Sequence, residues 1–181
     1  QYGLSEPGYA QQTVFFDYDL DGDLDAFIAR NGNVRFDKNS PLPKRFYPEH
    51  LTDVLLENIQ PETLDHPYFE NVSKSSGIIH KGFALGLGIS DFNQDGYPDV
   101  YVGNDFITND LLYLNTPNDS LSHFAEVSDA YFKHQTYNSM GLDIADVNND
   151  GKQDIMVLDM LPFRHERRKQ MQGMTNYEKY E

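Results

Sequence analysis

The stretch Asp17-Tyr18-Asp19-Leu20-Asp21-Gly22-Asp23-Leu24-Asp25 returns in kind as Asp91-Phe92-Asn93-Gln94-Asp95-Gly96-Tyr97-Pro98-Asp99 and as Asp146-Val147-Asn148-Asn149-Asp150-Gly151-Lys152-Gln153-Asp154. Each copy sets oxygen-bearing side chains at positions 1, 3, 5 and 9 and a glycine at position 6. A calcium ion takes about six to eight oxygens at about 2.3 to 2.6 Å, so a chain that holds one curls tightly, and glycine permits the curl. Asp23, Tyr97 and Lys152 at position 7 share no side-chain chemistry, which points to the main-chain carbonyl as the ligand there. The pattern therefore predicts three Ca2+ sites: Asp17, Asp19, Asp21, Asp23 and Asp25; Asp91, Asn93, Asp95, Tyr97 and Asp99; Asp146, Asn148, Asp150, Lys152 and Asp154, the position-7 residues through their backbone.

Asp-Gly pairs also make hairpin turns without any metal. The recurrence of the whole oxygen set, with Asp at position 9 each time, favours the ion. So does repulsion, because like charges about 4 to 5 Å apart cost roughly 1 kcal/mol per pair even in water, and the first loop is mostly aspartate. Magnesium demands a stricter octahedron and surrenders its waters reluctantly. Zinc is disfavoured by the absence of cysteine and of paired histidine spacing. An EF-hand needs Glu at position 12, where this chain has Ile28, Val102 and Val157.

Short apolar runs flank each loop: Val14-Phe15-Phe16 and Ala26-Phe27-Ile28, Leu87-Gly88-Ile89 and Val100-Tyr101-Val102, Leu142-Asp143-Ile144 and Ile155-Met156-Val157. Runs of this length and β-branched or aromatic content predict buried strands, so each loop is the bend of a hairpin. The alignment extends outward. Asp53-Val54-Leu55-Leu56-Glu57-Asn58 matches Asp110-Leu111-Leu112-Tyr113-Leu114-Asn115, and Phe69-Glu70-Asn71-Val72-Ser73 matches Phe124-Ala125-Glu126-Val127-Ser128. Four strand-like runs per unit predict an all-β fold, a partial β-propeller of four-stranded antiparallel blades with calcium-binding hairpin loops. The expected division is an approach from a preceding blade at 1–12, a blade at 13–85 with an insertion at 30–50, a second blade at 86–140 and an incomplete third at 141–181. Since a propeller closes only with several blades, the chain reads as part of a larger one.

These residues resemble the FG-GAP/VCBS repeat family, whose calcium-loop blades are similar to those of integrin α-subunit propellers. The segment from Gly82 to Lys169 is similar to bacterial surface proteins of the cartilage-acidic-protein-like group, with the family's Phe-Gly replaced by Leu85-Gly86 and Met140-Gly141. The resemblance implies the propeller fold and calcium, and carries little about biological role, because such repeats accompany many activities.

Acidic residues outnumber basic ones 29 to 14, for a net charge of −15, which argues against nucleic acid and anionic membranes as partners. No apolar run is long enough to span a bilayer. Loops of this kind fill at roughly millimolar calcium, a condition met outside cells, so an extracellular or cell-surface location is expected. No nucleophile elbow, metalloprotease helix or phosphate loop is present, and the acidic residues that could serve as acid and base are mostly committed to the cation by their spacing. Gly86-Leu87-Gly88 lacks the third glycine of a dinucleotide fingerprint and suits close strand packing. A non-enzymatic adhesion or ligand-binding scaffold is the expected function; the alternative is the propeller part of a secreted polysaccharide lyase or hydrolase. Up-and-down connectivity puts the insertion on the face opposite the acidic loops. Arg35, Phe36, Phe46 and Tyr47, with Asn104, Asp105 and Phe106, are the expected partner site for a protein or glycan ligand there.

Overall fold

Aromatic and β-branched residues on either side of each acidic loop pair as antiparallel hairpins. The computed structural model describes residues 2–32, 49–61, 63–105, 108–117, 123–136 and 138–160. Strand β1 (Ala10–Phe16) pairs with β2 (Asp25–Arg30), β2 with β3 (Val54–Ile59) and β3 with β4 (Tyr68–Asn71), a four-stranded meander in chain order. Strands β5 (Ala84–Ser90), β6 (Asp99–Asn104), β7 (Leu111–Asn115) and β8 (Phe124–Glu126) repeat it. Strands β9 (Ser139–Ala145) and β10 (Asp154–Asp159) form a third hairpin. The protein is all-β with antiparallel sheets, apart from a short 3-10 turn (Glu49–Leu51) and one helical turn, α1 (Ser128–Tyr131), among the described residues.

The period of two in each central strand decides how the sheets stack. In β2, Phe27 and Ala29 point to one side and join Val100, Val102 and Tyr113 of the second sheet in one buried cluster. Ala26 and Ile28 point to the other side, with Val54, Leu56 and Phe69. In β6, Tyr101 faces away from Val100 and Val102 and packs with Leu112 and Leu114 against Leu142, Ile155 and Val157 of the third hairpin. The second sheet is therefore apolar on both faces, lying between its neighbours.

The sheets come closest along their first strands, β1 beside β5 and β5 beside β9. Gln12 ties the first pair: its side-chain oxygen accepts from the Leu87 N–H at 3.1 Å and its amide donates to the Leu87 carbonyl at 3.4 Å. Glycine permits the second approach, since a Cβ on Gly88 would lie 2.3 Å from Ile144 Cδ1 and 2.9 Å from Leu142 Cδ1. Gly88→Val is thus expected to wedge the third hairpin off the second sheet and cost about 2 kcal/mol by chemical denaturation, the usual size of an overpacking penalty. An unshifted midpoint would contradict this packing.

Candidate metal loops

The three acidic bends share one backbone conformation. Position 4 is left-handed in each, at Leu20 (φ 62), Gln94 (φ 61) and Asn149 (φ 59), and so is the position-6 glycine, at Gly22 (φ 99), Gly96 (φ 94) and Gly151 (φ 82). Glycine at position 6 was legible in sequence; the left-handed Leu20 was not, because a γ-branched residue rarely adopts that region.

The side chains fold inward on this frame. Asp17 accepts from the N–H groups of Asp21 at 3.1 Å and Gly22 at 3.1 Å, Asp19 also accepts from Asp21, and Asp21 accepts from Asp23. Asp91, Asn93 and Asp95 repeat these bonds to Asp95, Gly96 and Tyr97. Asp146, Asn148 and Asp150 repeat them to Asp150, Gly151 and Lys152. Asp17, Asp19 and Asp21 each bring one carboxylate oxygen within 4.8 Å of the others. Asp23 Oδ1 is buried without a hydrogen-bond partner. Partial burial, followed by the charge of Asp21, raises the carboxyls of Asp19 and Asp23 above their ordinary range. A set of hard oxygens under mutual repulsion fits a divalent cation of the calcium type.

Position 9 has a second task. Asp25 accepts from Tyr18 N–H at 3.2 Å and from Asn58 N–H at 2.8 Å, which locks the bend to β3. Asp99 likewise accepts from Phe92 N–H and Asn115 N–H, both at 2.8 Å. Asp154 accepts from Val147 N–H at 3.1 Å. Burial pushes Asp25 and Asp99 up to about 6, against the lowering effect of those backbone donors.

The loops are also joined to one another. Asn115, fully buried, donates from its amide to the Tyr18 carbonyl of the first loop at 2.6 Å and to the Pro98 carbonyl of the second at 3.3 Å. Gln94 of the second loop donates to the Gly151 carbonyl of the third at 2.9 Å. Position 2 plugs the space beneath: Tyr18 packs its ring edge-on against His123 and tilted against Phe124, and Phe92 enters the cluster around Tyr101. Sequence reading passed over these contacts because spacing within one loop says nothing about its neighbour.

Residues 91–157, which span the second and third loops, match the family model for the FG-GAP-like repeat. That segment is similar to an FG-GAP-like repeat. No curated protein matches it.

Of the residues expected to meet a partner, Asn104 and Asp105 lie at the end of the sheets remote from these loops. Arg35, Phe36, Phe46, Tyr47 and Phe106 lie outside the described residues. Asn104 is buried and braces the turn into β7: its N–H donates to Asp110 Oδ1 at 2.7 Å and its amide to the Asn109 carbonyl at 2.8 Å. The half-buried Asp105 donates its N–H to the Phe83 carbonyl at 2.8 Å.

Asp53, the counterpart of Asp110, accepts from Arg30 N–H at 2.8 Å. Burial pushes it up to about 7, although the Arg30 N–H bond and guanidinium charge pull the other way. The folded protein thus holds a proton that the unfolded chain releases near pH 4. This contribution to stability is complete below about pH 4 and is lost as pH rises to about 7. Comparing urea midpoints across that window in chelator-containing buffer, Asp53→Asn is expected to show a shallower fall than the parent. Parallel profiles would refute the shift.

Proposed function

We propose that this chain is a calcium-binding segment of a β-propeller, serving as a structural and interaction scaffold outside the cell. The observation that carries the reading is the threefold recurrence of one bend with the same inward-turned oxygens. Bound calcium would supply positive charge where carboxylates repel one another. Asp17, Asp19, Asp21 and Asp25 and the Asp23 carbonyl would hold it in the first loop, with the equivalent positions serving in the others. Stacking of successive meanders along their first strands supports a radial array, in which the three bends share one end and the connections after β2, β4, β6 and β8 share the other.

The opposite end is the docking end for a protein or glycan partner in this proposal, and the chemistry is recognition rather than turnover. Extracellular millimolar calcium keeps the scaffold assembled, which makes the protein's rigidity a function of compartment. Calorimetric titration of chelator-treated protein with calcium chloride tests the core of the proposal. The expected stoichiometry is three ions per chain, with magnesium binding more weakly. Absence of saturable binding at millimolar calcium overturns it.

A further inference from the structure

Two carboxylates at the remote end occupy equivalent places and meet different fates. Asp110 takes a backbone N–H from Asn104 and three hydroxyls besides: Tyr101 at 2.7 Å, Thr136 at 2.9 Å and Ser139 at 2.6 and 2.8 Å from its two oxygens. In the register set by the acidic loops, the places of Tyr101, Thr136 and Ser139 fall in the first sheet and its neighbour to Phe27, Lys81 and Ala84, none of which bears a hydroxyl. Lys81 turns instead to Glu49, 2.6 Å away. Among the described residues, Asp53 keeps only the Arg30 N–H on Oδ1, and Oδ2 is buried without a partner in a residue 1% exposed.

A buried carboxylate oxygen without a donor is costly, on the order of 1–3 kcal/mol or more. It persists where something else satisfies it. Asp53 lines a cleft of about 470 Å3 together with Arg30, Thr52, Asn71, Lys74 and Ile79. That volume is within the range of small-ligand sites, roughly 300–1,000 Å3. Thr52 Oγ1 is a second buried atom there without a partner.

Chemistry narrows the occupant. The sister carboxylate is satisfied by hydroxyls, so a hydroxyl-bearing ligand reproduces what this sheet lacks. Arg30 and Lys74 are balanced at the cleft by Glu49 and by Glu6, the ion-pair partner of Arg30, a lining suited to a neutral ligand. Val54, Ile78 and Ile79 add an aliphatic wall, suited to the C–H face of a sugar ring.

We propose that this cleft is a carbohydrate subsite in which one sugar hydroxyl pairs with Asp53 Oδ2, donating to the carboxylate or accepting from the protonated acid, and a second engages Thr52. The assignment rests on reading this end as the docking end, and names the ligand class for it. The competing occupant is an ordered water bridging Asp53 to the buried Tyr113 hydroxyl.

The test uses the full chain in millimolar calcium. The methyl resonances of Val54, Ile78 and Ile79 are followed while neutral cello-, xylo-, manno- and chito-oligosaccharides are added, and separately a lysine-containing peptide. The expected result is saturable shifts with at least one oligosaccharide series. Asp53→Asn should weaken binding at least tenfold, and so should Ala84→Ser, which restores the hydroxyl that Ser139 supplies to Asp110. The second variant decides the matter if the first fails to fold. Shifts that both variants leave unchanged, or no shifts with any sugar, overturn the subsite and leave a bridging water only. Peptide binding without sugar binding overturns the ligand class while sparing the docking end; silence from both probes removes the docking end as well.

Discussion

Chelation of divalent cations is expected to lower the melting temperature of this protein by roughly 10 °C. If each loop binds with a dissociation constant near 0.1 mM and calcium stands at about 1 mM, mass action stabilises the folded state by about 1.4 kcal/mol per site. Three sites together give about 4 kcal/mol, a large part of the margin by which an ordinary domain stays folded. For a chain of this size each kcal/mol moves the midpoint by about 2–4 °C. The physical source is local: Asp17, Asp19 and Asp21 crowd three carboxylate oxygens within 4.8 Å, and a cation turns that repulsion into attraction. Scanning calorimetry with EGTA and then with excess calcium measures it. Equal midpoints under both conditions would remove calcium from the account of this fold.

The second large effect is expected from Asp99→Ala, at about 2–5 kcal/mol, measured by urea denaturation in EDTA so that no metal contribution enters. Asp99 is fully buried, and its two oxygens each take a backbone N–H, from Phe92 and from Asn115. Truncation strands both donors, at about 1–3 kcal/mol apiece. Asp154→Ala supplies the contrast. Among the described residues its half-buried carboxylate takes one N–H, from Val147 at 3.1 Å, so a smaller loss is expected. Equal losses for the two variants would mean that position 9 acts through charge alone, without the bracing described above.

Much of this architecture was legible in the residues themselves. The ten strands among the described residues coincide with the apolar runs flanking the acidic bends or with the Leu-Leu and Phe runs that repeat after them, because strand burial writes hydrophobicity directly into sequence. The glycines of Gly86-Leu87-Gly88 were likewise readable as a place of close approach. What escaped was relational. Asn115 matches Asn58 in the repeat alignment, yet its amide reaches back to Tyr18 in another sheet, a contact set by stacking distance. Asp53 and Asp110 are identical letters, and only their surroundings make one saturated and the other incomplete. The cleft at Asp53 therefore has no signature within its own strand; its signal lies in Phe27, Lys81 and Ala84, far away along the chain.

The plug at position 2 of each bend has a bearing on how such chains can be rearranged. Tyr18 fills the space beside His123 and Phe124, whereas the same position of the third bend holds the much smaller Val147. A hairpin exchanged from third place to first would carry a valine into a socket cut for a tyrosine and leave a hole in the core. The units are therefore modular on paper but ordinal in space: each is fitted to the neighbour that follows it, and shuffling them would unmake the joints between them.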